Sequence, residues 1–347
     1  MSHWLFHIDV GGTFTDIVAV SPAGVMRTHK LLSSGAVRGR GVICGNGRQV
    51  IDAGRIGDPP GFWIGYALNP LPNRQIIKSP TCLAISPHRH ITTLVTNFDS
   101  ATGMLTLADS INATEINFEL RSNEEAPVVA IRYLMGLRLT DPIGSIEVRL
   151  GTTRATNALL ERKGARTAFV TTKGFGDVLK IGYQDRPELF KLNIRKRDEL
   201  AEHVIEIDER LTAKGEVLLT PNEDRIRSQL KAARNEGIES LAICLLHAHV
   251  NSSHEELVAR VAESVGFSQI SVSSRVARLE RIVPRGDTTL VDAYLGGTIR
   301  GYVASLRRSM PQARIRLMTS SGGLIDADSA GGKDTILSGP AGGVLGC

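Results

Sequence analysis

The chain has 347 residues, a formal net charge of +5, and 42% apolar residues, which suffices for two domains with substantial cores. Its lysines and arginines are scattered, without a basic block or interleaved aromatic residues, so the sequence does not indicate a nucleic-acid-binding protein. No apolar run approaches about 18 residues, which argues against a membrane protein.

The cysteine pattern and the N-terminus indicate a cytoplasmic protein. The four cysteines lie far apart and form no Cys-x-x-Cys pair, which predicts free thiols rather than a zinc site or a disulfide framework. The N-terminus lacks the basic and apolar regions of a secretory signal.

The N-terminal stretch predicts a β-hairpin with an anion-binding turn. Short apolar runs flank an Asp-x-Gly-Gly-Thr-x-Thr-Asp turn at residues 9–16 and are typical of strands. Its two glycines allow positive φ and close approach of a ligand, while backbone N–H groups and the hydroxyls of Thr13 and Thr15 could bind phosphate. Asp9 and Asp16 suit a divalent cation that bridges them to phosphate. An ordinary hairpin is the alternative.

A third strand is predicted at residues 25–31, after a Ser-Pro-Ala-Gly turn. Lys30 lies near its end. The simplest interpretation is a solvated strand residue, and a contact with phosphate is the alternative.

Residues 35–145 differ in composition from their flanks. Glycine and proline are frequent, and short β-like runs, including 128–132, are separated by turn signals such as the one at 99–103. This pattern predicts a small, mostly β module inserted after the opening strands. His88 and His90 lie within it, and we interpret them as surface histidines because no third metal ligand is in view.

Residues 146–172 return to alternating strand and helix. A strand at 146–150 ends in Gly-Thr-Thr at 151–153, a helix is predicted at 154–162, and a further strand at 166–172. The first N–H groups of a helix lack partners, so this turn predicts an anion site. A helix that is merely capped by threonine is the alternative.

The polar segment 182–187 follows and contains Tyr183, Gln184 and Arg186. Loops carry much recognition, and Arg186 would suit a carboxylate through bidentate hydrogen bonds. A solvated loop is the alternative.

The C-terminal half predicts parallel βαβ units. Helices at 222–235 and 253–265 alternate with strands at 241–246 and 270–273. Within this part His247, His249 and His254 cluster after a strand, but their spacing is not a known metal-ligand pattern.

The last part of the chain predicts one more anion-binding turn. A long helix at 288–307 and a strand at 314–318 lead to a strand, a glycine-rich turn and a helix start over 335–346. Such a turn suits phosphate or a carboxylate, and close packing of helix against strand is the alternative.

Taken together, these motifs resemble the hydantoinase A/5-oxoprolinase family. The resemblance covers most of residues 4–34 and 146–346, and within it residues 174–190 are most similar to the 5-oxoprolinase branch. Its motifs are Asp9–Asp16, Gly151–Gly164, Pro284–Gly286, Val291–Leu295, Ser321–Leu324 and Ser338–Gly343.

The resemblance implies an α/β fold of the actin-like ATPase (ribonuclease-H-like) type. Residues 1–34 would supply its first strands and phosphate hairpin, 35–145 the inserted module, and 146–347 the remaining α/β domain. Family members have a second phosphate hairpin soon after the Ser-Gly-Pro-Ala-Gly-Gly motif, which this sequence lacks. We therefore expect an incomplete second half, completed by a hydantoinase-B-like subunit or a further C-terminal region.

The resemblance also implies ATP-dependent opening of a cyclic amide, 5-oxoproline or a hydantoin, through phosphorylation of the amide oxygen, with ATP and Mg²⁺ as cofactors. A non-catalytic ATPase-fold subunit or fragment and a small-molecule kinase of the actin-like superfamily are the alternatives. A homo-oligomer is also compatible with the sequence, and neither nucleic acid nor a membrane is expected as a partner.

The family motifs suggest a role for each site residue. Asp9 would hold Mg²⁺ directly or through water, and Asp16 would position water or metal. Phosphate and nucleotide contacts are expected from Gly11, Gly12, Thr13, Thr15, Gly339, Gly342 and Gly343. Substrate or the transferred phosphoryl group would meet Gly151, Thr152, Thr153 and Asn157. A substrate carboxylate would bind Arg154, Arg186 or Arg285.

Overall fold

A computed structural model describes residues 3–72, 92–184, 188, 190–193, 198–339 and 341. The chain divides into two compact units. Unit 1 comprises Met1–Thr152 and Val303–Met318, and unit 2 comprises Thr153–Tyr302 and Thr319–Cys347.

The first part of the chain is dominated by strands. They are β1 (Leu5–Val10), β2 (Phe14–Val20), β3 (Met26–Leu32), β4 (Val37–Cys44), β5 (Gln49–Ile51), β6 (Ala67–Pro70), β7 (Thr93–Asp99), β8 (Met104–Leu107) and β9 (Glu115–Arg121). A 3₁₀ turn at Ala53–Arg55 follows β5, and helix α1 (Ala126–Met135) follows β9.

The second part alternates between strands and helices. Its elements are β10 (Glu147–Thr152), α2 (Arg154–Leu160), β11 (Thr167–Thr172), α3 (Val178–Ile181), β12 (His203–Ile207), β13 (Arg210–Leu211), β14 (Val217–Leu219), α4 (Glu223–Asn235), β15 (Ser240–Cys244), α5 (Ser253–Val265), β16 (Gln269–Val272), α6 (Ser273–Val276), α7 (Ile282–Ser309), β17 (Arg314–Met318) and β18 (Leu324–Asp326), with 3₁₀ turns at Ala327–Ser329 and Lys333–Thr335.

The main sheet of unit 1 joins strands that are distant in sequence. Strands β1 to β3 form an antiparallel meander, β10 pairs in parallel with β1, and β17 pairs in parallel with β10. Successive side chains of a strand point to opposite faces. In β1 this places Phe6 and Ile8 on a buried face, against which α1 packs, and His7 and Asp9 on the other, exposed face.

Strands β4 to β9 close into a barrel in the order β4-β5-β8-β7-β6-β9. Val50, Leu105 and Phe118 are fully buried in it. Alternation of apolar and polar residues along short strands, with glycine and aspartate turns between them, produces this arrangement. The six strands all lie within residues 35–145, the range predicted as a mostly β module.

The strand predicted at residues 128–132 is wrong, because this segment lies in helix α1. Pro127 stands in the first helical turn, where its missing N–H costs nothing, and Gly136 ends the helix in the left-handed conformation at φ 69°. Nearly every residue of the helix is buried. The segment therefore lacks the polar face that would have shown a helical period.

Unit 2 contains a four-stranded parallel sheet in the order β12-β11-β15-β16, with α4 and α5 as connecting helices. Strands β11 and β15 are buried along their whole length, as expected for a parallel sheet covered on both faces. The prediction of helices at 222–235 and 253–265 is confirmed, with Asn222 as the N-cap that accepts from Arg225 N.

The strand predicted at the start of residues 335–346 is wrong. The chain forms a 3₁₀ turn at Lys333–Thr335 instead. Asp292 Oδ1 accepts a hydrogen bond from Lys333 N at 3.1 Å, and Asp334 Oδ2 accepts from Gly331 N at 2.9 Å. Bonds from side chains to the backbone of this kind compete with strand pairing.

Replacement of Gly164 by alanine is expected to destabilise unit 2. A Cβ at this position would lie 2.2 Å from Cε1 of Tyr294 in α7, so the helix and the loop would have to separate. We expect the free energy of unfolding to fall by about 1–3 kcal/mol, measured by urea denaturation.

Gly297→Ala in α7 is the matched control. A Cβ there meets nothing within 4 Å, and alanine favours a helix interior over glycine by about 0.5–1 kcal/mol. This variant should therefore be more stable than the parent chain. Equal losses in the two variants would contradict the close packing at Gly164.

Candidate phosphate and metal site

Four residues on neighbouring strands of unit 1 lie side by side on the exposed face of the sheet. Asp9 is in register with Gly151 on one side and with Asp16 on the other, and Asp16 is in register with Lys30. Directly opposed residues share a face of the sheet. We call Gly151, Asp9, Asp16 and Lys30 the polar row. The three side chains of the row are exposed.

The charges of the polar row are unequally paired. Lys30 Nζ lies 2.9 Å from Asp16 Oδ1 and 3.2 Å from Oδ2, and also 5.0 Å from the ring centroid of Phe14. An exposed pair of this kind contributes less than about 1 kcal/mol. Asp9 has no hydrogen-bond or ion-pair partner among the described residues. Its carboxylate is therefore the available anionic ligand of the row.

His7 adds no positive charge beside Asp9 near neutral pH. It lies two residues before Asp9 on the same face of β1. Burial lowers the pKa of His7 below its ordinary value, and the positive charge of Arg149 lowers it further. The electrostatics of the row therefore depend on Asp9, Asp16 and Lys30.

The turn beside the polar row needs glycine for close packing. Gly11 N donates to Phe14 O at 3.0 Å, and a Cβ on Gly11 would lie only 2.9 Å from that oxygen. Neither Gly11 nor Gly12 has a positive φ, so the predicted need for positive φ is wrong, whereas the close approach of a ligand stays a prediction. Gly12 and Thr13 are exposed at the tip, where their N–H groups could meet an anion.

Thr15 supports the turn from its buried side. Thr15 is 0% exposed, and its Oγ1 lies 3.0 Å from Ser33 Oγ, which donates to Gly11 O at 2.7 Å. Ser33 N also donates to Thr13 O at 2.9 Å. This placement argues against the predicted contact between the Thr15 hydroxyl and phosphate. Sequence reasoning missed Ser33, whose only signal is its position directly after β3.

The end of β10 separates two predicted substrate contacts. Gly151 belongs to the polar row, whereas Thr152 is 1% exposed and points to the opposite, buried face. We therefore regard Thr152 as part of the support for the sheet. Gly151 places no side chain beside Asp9, which leaves room on that strand for a ligand to approach.

Unit 2 brings together several other predicted residues around α2. Thr153 occupies the N-cap position, but its side chain makes no capping hydrogen bond. Asn157 Nδ2 donates to Thr153 Oγ1 at 3.4 Å. The guanidinium of Arg154 lies 4.1 Å from the ring centroid of Tyr302, a cation–π geometry. Thr156, whose hydroxyl donates to the carbonyl of Ile336, connects α2 to the segment that precedes half-buried Gly339.

Arg285 has a structural environment. It is 0% exposed, and it donates to Leu245 O at 2.6 Å and to Leu279 O at 3.1 Å, with His249 Nδ1 3.1 Å away. Burial lowers the pKa of His249, and the charge of Arg285 lowers it further. Full burial argues against the predicted contact of Arg285 with a substrate carboxylate. Five residues named in the sequence analysis lie outside the described residues: Arg186, Gly342, Gly343, His88 and His90.

Within the described part of the chain, no group of three or more histidine, cysteine, aspartate or glutamate side chains could hold a metal ion. His254, from the predicted histidine cluster, instead contacts Glu209 at 2.7 Å. A Mg²⁺ ion at Asp9 would therefore take most of its ligands from phosphate and water, which is its usual coordination beside nucleotides. None of the described helices is both long and apolar enough to cross a bilayer.

Replacement of Ser33 by alanine is expected to destabilise the turn. It leaves the carbonyl of Gly11 and the buried hydroxyl of Thr15 without their partner, which costs about 1–3 kcal/mol. Urea denaturation would measure the loss. Ser34→Ala, at a neighbouring position where the hydroxyl accepts a long hydrogen bond of 3.4 Å from Ala36 N, should change stability by less than about 0.5 kcal/mol. If the two variants are equally stable, Ser33 does not support the turn.

Comparison with known proteins places this geometry in context. The family model described as hydantoinase/oxoprolinase N-terminal region matches residues 5–49 and 107–266. The model described as hydantoinase/oxoprolinase matches residues 285–347. The unmatched stretch 50–106 contains β6 and β7, so this part of the barrel lies outside the family pattern.

Individual relatives agree with these models. A 5-oxoprolinase of Saccharomyces cerevisiae is 41% identical over 229 residues, which is 57% of this chain and 18% of that protein. A 5-oxoprolinase of Dictyostelium discoideum is 40% identical over 228 residues, again 57% of this chain and 18% of the relative. The matched region is thus less than a fifth of the length of these relatives.

Two solved structures share the fold. The nucleotide-free structure of an acetone carboxylase superposes with a TM-score of 0.63 at 17% identity, covering 99% of this chain and 39% of that one. The ATP-dependent caprolactamase of Pseudomonas jessenii gives a TM-score of 0.52 at 22% identity, covering 72% of this chain and 37% of that one. With family models that match more than half of its residues, the chain belongs to the hydantoinase/oxoprolinase family.

Proposed function

We propose that this chain is the N-terminal part of an ATP-dependent cyclic-amide hydrolase of the 5-oxoprolinase/hydantoinase type. The observation that carries the proposal is the carboxylate of Asp9, which is unpaired among the described residues and lies beside the Gly11–Thr13 turn. Membership of the family and the identity with proteins named 5-oxoprolinase support it. The substrate class is a lactam or hydantoin, with 5-oxoproline as the first candidate.

The residues of the polar row fit a nucleotide with Mg²⁺. Asp9 offers the hard oxygen ligand that Mg²⁺ prefers, and the exposed N–H groups of Gly12 and Thr13 offer donors to phosphate. Asp16, held by Lys30, would orient a water ligand or the metal. The bound ion would neutralise phosphate charge during phosphoryl transfer.

The finer fold assignment is also a proposal. An actin-like ATPase fold with a ribonuclease-H-like half is supported by the antiparallel meander of β1 to β3, by the parallel strands β10 and β17 beside it, and by the phosphate turn between β1 and β2.

The chemistry that we propose overcomes the stability of an amide. Resonance gives the C–N bond partial double-bond character. Transfer of the γ-phosphoryl group of ATP to the amide oxygen removes this resonance stabilisation. The new O–P bond forms as the bond from the γ-phosphorus to its bridging oxygen breaks, and ADP leaves. Water then adds to the carbon, the C–N bond breaks, and the amine takes a proton. A second water hydrolyses the resulting acyl phosphate to the acid and inorganic phosphate.

The substrate contacts are assigned to the residues that remain available. Gly151, Thr153 and Asn157 would meet the substrate or the transferred phosphoryl group, and Arg154 or Arg186 would bind its carboxylate. Since the matched region is 18% of the 5-oxoprolinases, we propose that a hydantoinase-B-like subunit or a C-terminal region completes the active site.

Asp9→Asn tests the nucleotide site directly. Loss of the carboxylate should weaken Mg·ATP binding at least about tenfold, or about 1.4 kcal/mol, measured by calorimetry. Glu115→Gln is the matched control, because it removes the same charge from an exposed ion pair with Arg40 in the barrel. It should leave binding unchanged.

The outcomes separate the candidate functions. Undiminished Mg·ATP binding by Asp9→Asn would refute the role of this carboxylate. Binding only after addition of a B-like subunit would indicate a split site. With the completed enzyme, 5-oxoproline-dependent release of phosphate and glutamate supports the hydrolase, whereas a phosphorylated product with an intact ring supports a kinase. No turnover in any combination would support a non-catalytic subunit.

A further inference from the structure

A cleft of about 500 Å³ lies within unit 1, between strand β3, the barrel segment 54–63 and helix α1. We call it the barrel cleft. Its volume falls in the range of small-molecule sites. The segment 54–63 belongs to the stretch that the family models leave unmatched. The matched sequence pattern of the family therefore does not describe this wall of the cleft.

The wall of the barrel cleft is aromatic and held in place. Phe62 packs edge-on against Trp63, with ring centroids 4.7 Å apart, and against Tyr133, at 5.3 Å. His29 stacks on Tyr133 at 4.4 Å. Asp58 accepts from Trp63 Nε1 at 2.8 Å and from the Tyr133 hydroxyl at 2.7 Å. The ring of Trp63 is covered, because this side chain is 1% exposed and the Arg55 guanidinium lies 4.6 Å from its ring centroid. Half-buried Tyr133 is therefore the fixed ring that this wall presents to the cleft.

Arg55 is the polar group that this wall leaves incompletely bonded. It is 8% exposed and lines the cleft. Its Nη2 donates to Arg38 O at 2.6 Å, but its Nε, 3.3 Å from Asp52 Oδ2, makes no hydrogen bond. Its Nη1 is 3.9 Å from Asp58 Oδ2. Among the described residues, one nitrogen of three is thus hydrogen-bonded, although buried guanidinium donors are normally satisfied.

The charge of the cleft favours an anion. Lys30, Arg38 and Arg55 line it against one lining carboxylate, Asp58, and Asp52, which does not line the cleft, lies 3.3 Å from Arg55 Nε. Lys30 and Arg38 are exposed, and their ion pairs with Asp16 and Glu119 are of the kind that contributes little. Their side chains could therefore turn to a ligand at small cost. Burial lowers the pKa of His29, so this ring stays neutral and available for stacking.

We propose that the barrel cleft binds a small organic anion with a flat ring. The ring lies against Tyr133, and the carboxylate or phosphate group accepts from the η nitrogens of Arg55. A guanidinium matches either group through paired hydrogen bonds. The site does not require Mg·ATP, so it stands apart from the proposed hydrolase activity.

Calorimetry on the intact 347-residue chain, without Mg²⁺, tests the proposal with benzoate, 5-oxoproline and AMP as probes. We expect at least one to bind with a Kd between about 1 μM and 1 mM. Val37→Phe, which places a larger ring in the cleft, should weaken that binding at least about tenfold. Val42→Phe is the matched control, because Val42 is 54% exposed on the same strand and does not line the cleft.

A second variant tests the role of Arg55. Arg55→Lys keeps the charge but loses the paired donors, so it should weaken the same probe while circular dichroism and urea denaturation report whether the fold is retained. Benzoate or 5-oxoproline binding identifies a carboxylate ligand, and AMP binding a phosphate ligand. The proposal is overturned if no probe binds, if Val37→Phe leaves binding unchanged, or if neutral benzyl alcohol binds as tightly as benzoate.

Discussion

The register of β1 between β2 and β10 is the constraint on which the candidate site depends. This pairing places Asp9 beside Asp16 on one side and beside Gly151 on the other, although β10 begins more than a hundred residues later. A slip of one residue would turn Asp9 to the buried face and Ile8 to solvent. The apolar face therefore fixes the position of the polar one, because burial of Phe6 and Ile8 stabilises only one register.

The turn between β1 and β2 is held from its buried side by groups that a ligand at the polar row would not touch. Ser33 connects the carbonyls of Gly11 and Thr13 with the hydroxyl of Thr15, and these bonds lie on the buried side of the hairpin. A site held by satisfied buried groups pays little reorganisation when charge develops nearby. Asp9, which is exposed and unpaired among the described residues, remains the group whose interactions a bound cation could change.

Lys30 belongs to both candidate sites of unit 1. It pairs with Asp16 in the polar row and lines the barrel cleft. The cleft has a different origin from the row, since residues of the barrel, of β3 and of α1 meet there. An unmatched segment of the chain thus adds binding surface beside a family motif without altering the register of the sheet that carries the motif.

The sequence by itself determined the family, the hairpin of β1 and β2, and the long periodic helices such as α5, because these depend on local spacing and on motifs. The sequence also indicated that Thr15 is buried, because Thr15, Ile17 and Ala19 alternate with polar or less buried positions along β2. The motif had instead suggested that Thr15 contacts phosphate. Only the tertiary structure decided that residues 128–132 form a helix and that backbone carbonyls surround Arg285. It also decided that Asp58 accepts hydrogen bonds from both Trp63 and Tyr133. These outcomes depend on partners distant in sequence, and burial by such partners leaves no periodic signal in the local pattern.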